Sequence, residues 1–120
     1  MAKILIAEDE DSLRGLVSRA LQMDGHEVDE AVDGAHGLDR LRATGAYDLL
    51  LSDIRMPVMD GIRLAHQAAS EFPAMKILLM TGFAEQREHA ENLSDIIVDV
   101  VPKPFSLPDI RGAVAHALSA

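Results

Sequence analysis

The sequence has no cysteine and no tryptophan, and aromatic residues make up only 3% of its 120 residues. Without cysteine the chain can form neither a disulfide framework nor a thiolate metal site, which suits a reducing compartment. Positive charge is also scarce, because 11 lysines and arginines against 20 aspartates and glutamates give a formal net charge of −9. Such a protein repels the phosphate backbone of nucleic acids, so direct binding to DNA or RNA is not expected.

Long hydrophobic runs are missing as well, and none approaches the length of a membrane span. The N-terminal run over residues 4–7 is too short for a signal peptide, and an acidic stretch follows it. We therefore expect a soluble, cytoplasmic protein. With 120 residues, 48% of them hydrophobic, a single domain over residues 1–120 is expected.

Short apolar runs alternate with segments that have helical spacing. A run of this length that ends in turn residues is typical of a strand buried on both faces. The alternation predicts an α/β fold, a doubly wound five-stranded parallel sheet with five helices on two faces. The second strand is expected at the sheet edge, because Asp29 and Glu30 interrupt it. The predicted strands cover residues 4–7, 26–32, 47–52, 76–80 and 96–101, and the nearly all-polar fourth helix covers residues 84–92.

Polar residues follow four of the predicted strands: Glu8 and Asp9, Asp53, Thr81 and Lys103. Ligand sites of parallel sheets lie at the carboxyl ends of the strands, so these side chains are expected to converge. Singly, each residue is more simply explained as a turn residue, a helix entry or a surface lysine; four suited strand ends in one sheet are hard to assign to chance. Three close carboxylates raise one another's pKa, and a divalent cation relieves that conflict. Oxygen ligands without histidine or cysteine suit Mg²⁺.

Phosphoryl transfer is the chemistry that this set of residues favours. A carboxylate can act as the nucleophile and form an acyl phosphate, and the remaining work is positioning and charge neutralisation. Asp53 is the candidate nucleophile. Lys103 would neutralise phosphoryl oxygens, and the Thr81 hydroxyl would donate a hydrogen bond to another of them.

The motifs that carry these residues resemble those of receiver domains of two-component response regulators, and the resemblance covers the whole chain. It implies a flavodoxin-like fold with strand order 2-1-3-4-5. It also implies that Asp53 accepts a phosphoryl group from a histidine kinase or a histidine phosphotransfer protein. The matching stretches are residues 4–9 (ILIAED), 51–57 (LSDIRMP), 59–61 (MDG), 80–82 (MTG) and 103–105 (KPF).

The resemblance also implies a metal site for Mg²⁺ or Mn²⁺. In this family the position of Asp9 is a direct ligand and that of Glu8 binds through water. The phosphoacceptor Asp53 and the backbone carbonyl of Arg55 would complete the protein ligands. The same resemblance assigns Thr81 as the switch hydroxyl and Lys103 as the phosphate partner, with a cis peptide between Lys103 and Pro104.

Three features depart from the family pattern. Val100 stands where the family often has an aromatic residue, so the resemblance does not extend to the usual aromatic readout of phosphorylation. Pro102 removes a backbone donor from the end of the last strand. Arg55 and Phe83 each lie two residues beyond a site residue and are bulky enough to restrict water, which predicts slow self-dephosphorylation.

The expected role is that of a single-domain regulator that is not an enzyme and signals to a protein partner. The partner surface would combine the fourth and fifth predicted helices with the fifth strand, in a monomer or a phosphorylation-linked dimer. Within the family the chain is similar to stand-alone regulators, including the protease-adaptor kind. One alternative is a phosphate shuttle or sink in a phosphorelay. An aspartate-nucleophile phosphatase is a remote alternative, because Arg55 occupies the position where such enzymes need a second carboxylate.

Overall fold

A computed structural model describes residues 2–82 and 92–120 of the chain. The predicted helix over residues 84–92 lies outside this part, apart from Asn92, which is in a turn. The helix predicted as the fifth is therefore labelled α4. The elements are β1 (Lys3–Ala7), α1 (Asp11–Met23), β2 (Glu27–Ala31), α2 (Gly34–Thr44), β3 (Leu49–Asp53), α3 (Gly61–Glu71), β4 (Lys76–Thr81), β5 (Asp99–Pro102) and α4 (Leu107–Ser119).

The strands form one parallel sheet in the order β2-β1-β3-β4-β5, which confirms the predicted fold class and strand order. The three central strands β1, β3 and β4 are buried along almost their whole length. β2 lies at the edge, as its interrupted apolar pattern predicted, and only its last residue, Ala31, is buried. β5 forms the other edge.

The sheet separates two layers of the hydrophobic core. Side chains alternate between the faces of a strand, so a continuous apolar run supplies both layers. Leu50 of β3 packs with the α2 and α3 side of the sheet, whereas its neighbours Leu49 and Leu51 pack with the α1 and α4 side. Helices cover both faces of the sheet, so polar side chains can cluster at the ends of the strands.

Two strands begin two or three residues later than the sequence prediction, whereas the other three begin within one residue of it. β3 begins at Leu49 rather than at Tyr47, whose hydroxyl donates a hydrogen bond of 2.5 Å to Asp29. β5 begins at Asp99 rather than at Ile96. The N–H groups of Ile96 and Ile97 both donate to the carbonyl of Leu93, so these residues form a turn. Ile97 is nevertheless buried, because a turn can deliver an apolar side chain to the core as well as a strand can.

Side chains cap the N-terminal ends of three of the four described helices, and α1 has no such cap. Asp33 and Asp60 accept backbone N–H groups at the starts of α2 and α3. Ser106 and Asp109 form a capping box at the start of α4, with hydrogen bonds of 3.1 and 3.2 Å. Among the described residues, no helix is both long enough and apolar enough to cross a bilayer.

Candidate functional site

The predicted site residues meet at the carboxyl edge of the sheet. Glu8 and Asp9 follow β1, Asp53 ends β3, Thr81 ends β4 and Lys103 follows β5. These four strands are neighbours in the sheet, so their ends lie side by side. One carboxylate oxygen from each of Glu8, Asp9 and Asp53 can be chosen so that all three lie within 4.8 Å of one another. The strand order therefore assembles the three acids that the sequence predicted.

Lys103 is the cation of this cluster. Its Nζ lies 2.9 Å from Oε1 of Glu8 and 3.1 Å from Oδ2 of Asp53. Its backbone N–H donates to the carbonyl of Thr81 at 2.6 Å, which ties the segment after β5 to the end of β4. The Lys103–Pro104 peptide is cis, as the family resemblance implies. One lysine thus contacts two of the three acids.

Glu8 is only 1% exposed, although it is a charged residue. Burial raises the pKa of its carboxyl group, and the hydrogen bond from Lys103 lowers it while the charge of Asp53 raises it again, with a net result of about 7. Burial lowers the pKa of Lys103, but the hydrogen bond to Glu8 and the charge of Asp53 outweigh that effect, so its pKa is raised. Lys103 therefore keeps its charge at neutral pH, whereas Glu8 is close to its titration point.

Asp53 is held by the backbone around it. Its Oδ1 accepts the N–H of Ile54 at 2.9 Å, and its side chain is largely buried. A Cβ atom at Gly61 would lie 2.0 Å from the carbonyl oxygen of Asp53, so the start of α3 approaches β3 as closely as only glycine allows. The Gly61 N–H donates to the carbonyl of Ile54 at 2.7 Å. The sequence analysis placed Gly61 only within the matching stretch 59–61 and did not predict this close contact.

The loop between Asp53 and α3 contains a backbone conformation that side chains rarely adopt. Val58 has a φ of 69°, the only positive φ of a non-glycine residue in the described part. The Met59 N–H donates to the Pro57 carbonyl at 2.8 Å, which closes a γ-turn around Val58. A β-branched residue is strained in this region, and such strain often lies near functional sites. No sequence signal identified Val58.

The donors present fit a hard divalent cation. All three acids offer oxygen, and Asp9 is exposed, so the cluster is open to solvent on one side. Such a set suits Mg²⁺, which takes few carboxylates and keeps several waters. Arg55, whose carbonyl the resemblance assigns as a ligand, is exposed in the turn directly after Asp53 and Ile54.

Among the residues that depart from the family pattern, the structure describes Val100 and Pro102 but not Phe83. Val100 is half-buried and packs against the core layer on the α2 and α3 side. Pro102 is the last residue of the edge strand β5 and lies opposite Thr81, and it is exposed to solvent. Phe83 lies outside the described residues, so its predicted effect on water access stays a prediction.

Arg14, in the first turns of α1, was also missed by the sequence analysis. Its Nη1 donates to the backbone carbonyl of Glu8 at 2.8 Å. Helical spacing identifies only the apolar face of α1, so an arginine that turns back to the preceding loop gives no signal.

Comparison with known proteins gives consistent matches. The family model described as "Response regulator receiver domain" matches residues 4–115. The response regulator receiver protein CpdR of Brucella abortus is 37% identical over 120 residues, with 100% of this chain and 99% of that protein covered. The sensor kinase CckA of the same organism is also 37% identical over 119 residues, which are 98% of this chain but 12% of the kinase.

A solved structure of a protein from Thermotoga maritima also matches. The response regulator protein TrrA, in complex with Mg(2+)-BeF, has a TM-score of 0.86 and 30% sequence identity. The match covers 98% of this chain and 99% of that chain.

Proposed function

Because this chain belongs to the response regulator receiver domain family, we propose that it is a single-domain response regulator that accepts a phosphoryl group on Asp53. The observation that carries the proposal is the meeting of a largely buried carboxylate, two further acids and one lysine at a single sheet edge. A structural role alone does not call for three acids around one ammonium group, because the like charges repel.

The proposed reaction transfers the phosphoryl group from a phosphohistidine of a kinase or phosphotransfer protein. A carboxylate oxygen of Asp53 forms a bond to phosphorus, the N–P bond breaks, and the imidazole keeps the electron pair. Lys103 already lies 3.1 Å from Asp53, so its ammonium is placed to neutralise charge on the phosphoryl oxygens. The Thr81 hydroxyl, at the end of the neighbouring strand β4, would donate a hydrogen bond to another phosphoryl oxygen.

The proposed cofactor is Mg²⁺, with Mn²⁺ as a substitute. Asp9, Asp53 and the backbone carbonyl of Arg55 would hold it directly, and Glu8 would hold it through water. When bound, the cation offsets the negative charge of the acids and of the phosphoryl oxygens. The three clustered carboxylates support this assignment through the chemistry of the donor set.

We propose that the phosphorylated protein acts by binding another protein, at the face that includes β5 and α4. Val100 is half-buried and is not an aromatic residue, so the proposed readout does not use a rotating ring at this position. The match to the receiver protein CpdR over nearly its whole length supports a single-domain regulator that acts on a separate protein. The predicted slow self-dephosphorylation remains part of the proposal.

The test is phosphorylation by acetyl phosphate with and without Mg²⁺, followed by intact mass. The wild-type protein is expected to gain one phosphoryl group only when Mg²⁺ is present, and Asp53→Asn is expected to gain none. Asp48→Asn is the matched control, because Asp48 directly precedes β3 at its opposite end and is exposed. Asp48→Asn should gain mass as the wild type does.

Two results would contradict the proposal. A mass gain in Asp53→Asn equal to that of the wild type would place the modification elsewhere. No gain in the wild type with Mg²⁺ present, from acetyl phosphate or from a phosphorylated histidine kinase, would rule out the phosphoacceptor role.

A further inference from the structure

Arg14 connects the acidic loop after β1 to two other elements. Its guanidinium donates to the carbonyl of Glu8 at 2.8 Å, to Oδ1 of Asp11 at 2.6 Å and to Oε1 of Glu30 at 3.0 Å. Glu8 ends the β1 side of the loop, Asp11 begins α1, and Glu30 belongs to β2. The Arg14 side chain is only 13% exposed, whereas its partners Asp11 and Glu30 are 86% and 42% exposed, so the bond to the Glu8 carbonyl is the part-buried one of the three. One side chain therefore holds the loop from three directions.

The loop needs such an anchor because its four consecutive residues are all acidic. Residues 8–11 carry four carboxyl groups, which repel one another when they are ionised. Within the loop, the Glu10 N–H donates to Oε2 of Glu8 at 3.2 Å. The bond from Arg14 to the Glu8 carbonyl fixes the peptide group that joins Glu8 to Asp9. Asp9 is exposed, and this peptide group fixes the backbone from which its side chain starts.

We propose that Arg14 is a positioning residue of the metal site, which holds the backbone of Glu8 so that the Asp9 carboxylate faces Asp53. This inference rests on the proposed function, because it concerns the same Mg²⁺ site. Arg14 does not touch the cation in this account. It acts through the peptide group between Glu8 and Asp9. In other metal sites, groups that hydrogen-bond to the metal ligands orient those ligands in the same way.

The positive charge of Arg14 gives a clear way to separate positioning from simple electrostatics. A nearby cation repels Mg²⁺, so removal of the charge alone would strengthen metal binding. Loss of positioning would weaken it. Lysine keeps the charge but lacks the planar fork that reaches three acceptors at once. Positioning therefore predicts weaker binding for both Arg14→Met and Arg14→Lys, whereas a charge effect predicts tighter binding for Arg14→Met and no change for Arg14→Lys.

The experiment is a Mg²⁺ titration of the unphosphorylated protein, followed by backbone amide NMR shifts. Arg14→Met is expected to raise the Mg²⁺ dissociation constant about tenfold, which is the smallest effect typical of removing a group that orients a metal ligand. Arg14→Lys is expected to raise it less. Thermal unfolding in EDTA, with the NMR spectrum of each variant, verifies that the variants are folded. If Arg14→Met does not fold, Arg14→Lys carries the test.

Arg111→Met is the matched control. Arg111 of α4 also bridges two elements, with its Nε 2.9 Å from Oδ2 of Asp24 at the far end of α1. It is expected to leave the Mg²⁺ dissociation constant unchanged, because Asp24 lies one whole helix away from the acidic loop.

Unchanged or tighter Mg²⁺ binding in both Arg14 variants would overturn the positioning role while the proposed metal site stands. A wild-type protein that shows no Mg²⁺-dependent shifts at residues 8, 9 and 53 would instead overturn the metal site itself, and the inference with it. The two failures are therefore distinguishable in the same titration.

Discussion

The ion pairs at the two ends of the sheet differ in their exposure to solvent. At the carboxyl end, Lys103 and Glu8 form an ion pair of 2.9 Å in which the Glu8 side chain is 1% exposed. At the amino end, Arg111 and Asp24 approach to 2.5 Å, but their side chains are 44% and 26% exposed. Similar distances thus accompany very different exposure to solvent.

Exposure decides what each pair does for the protein. An exposed ion pair gains little stability, because water and salt screen it. A buried pair gives up hydration, and that cost can exceed the attraction between the charges. The carboxyl end also contains the strained φ of Val58 and the close contact at Gly61. The end of the sheet with the proposed chemistry therefore contains the features that lower stability, whereas the ion pair at the opposite end is exposed to solvent.

The largest expected effect is the loss of the close contact at the carboxyl end. Gly61→Ala would place a Cβ atom 2.0 Å from the carbonyl oxygen of Asp53, and backbone must move to relieve the clash. We expect the free energy of unfolding to fall by about 3 kcal/mol, which urea denaturation measures.

Gly112→Ala is the control for that substitution. Gly112 lies within α4, and a Cβ atom there would meet nothing within 4 Å. Alanine should stabilise the helix by about 0.5–1 kcal/mol, since it restricts the unfolded chain. Equal effects of the two substitutions would show that the close contact at Gly61 does not constrain the fold.

The next effect depends on pH and isolates the buried charge. The pKa of Glu8 is about 7 in the folded protein, raised from an ordinary 4.5 mainly by burial. The folded state therefore binds more protons than the unfolded state between these values, and the metal-free protein loses stability as pH rises through this window. Glu8→Gln lacks this loss. It should be about 1–3 kcal/mol more stable than the wild type at pH 8 in EDTA, with the difference disappearing below pH 4.5.

Chemical denaturation at several pH values in EDTA measures this difference. A wild type and a Glu8→Gln variant that respond identically to pH from 4 to 8 would show that burial of Glu8 has no cost.

The smallest expected effect concerns the turn after Asp53. Val58→Gly removes the strain of a positive φ, about 1–2 kcal/mol for an L-residue, but glycine also gains freedom in the unfolded chain. The net gain in stability should be about 0.5–1 kcal/mol. Val32→Gly is the control, because Val32 is exposed and has no positive φ, and it should destabilise the protein. A loss of stability in both variants would mean that Val58 is not strained.

Much of the site could be predicted from sequence, because strand ends are read from apolar runs and the strand order brings the ends together. Glu8, Asp9, Asp53, Thr81 and Lys103 are all where that reasoning places them. The polar residues of β2 were only recognised as interruptions. In the structure Asp29 accepts the hydroxyl of Tyr47, and Glu30 accepts the guanidinium of Arg14.

Such partners could not be predicted, because they are far apart in sequence and their types are common. The start of β5 was missed for a related reason. Ile97 and Val101 are both buried, one from a turn and one from a strand, and apolarity alone does not distinguish the two. Burial is encoded in the sequence more directly than the backbone shape that achieves it.

The hydrogen bond between the Lys103 N–H and the Thr81 carbonyl has a mechanical consequence. Pro102, which lies opposite Thr81, has no N–H, so this bond is the last link between β4 and the segment that carries the lysine. At 2.6 Å it joins the backbones of the two residues that are proposed to contact a phosphoryl group. An inward displacement of Thr81 would therefore move the backbone of Lys103 in the same direction. The Thr81 hydroxyl and the Lys103 ammonium would then approach a phosphoryl group together rather than independently.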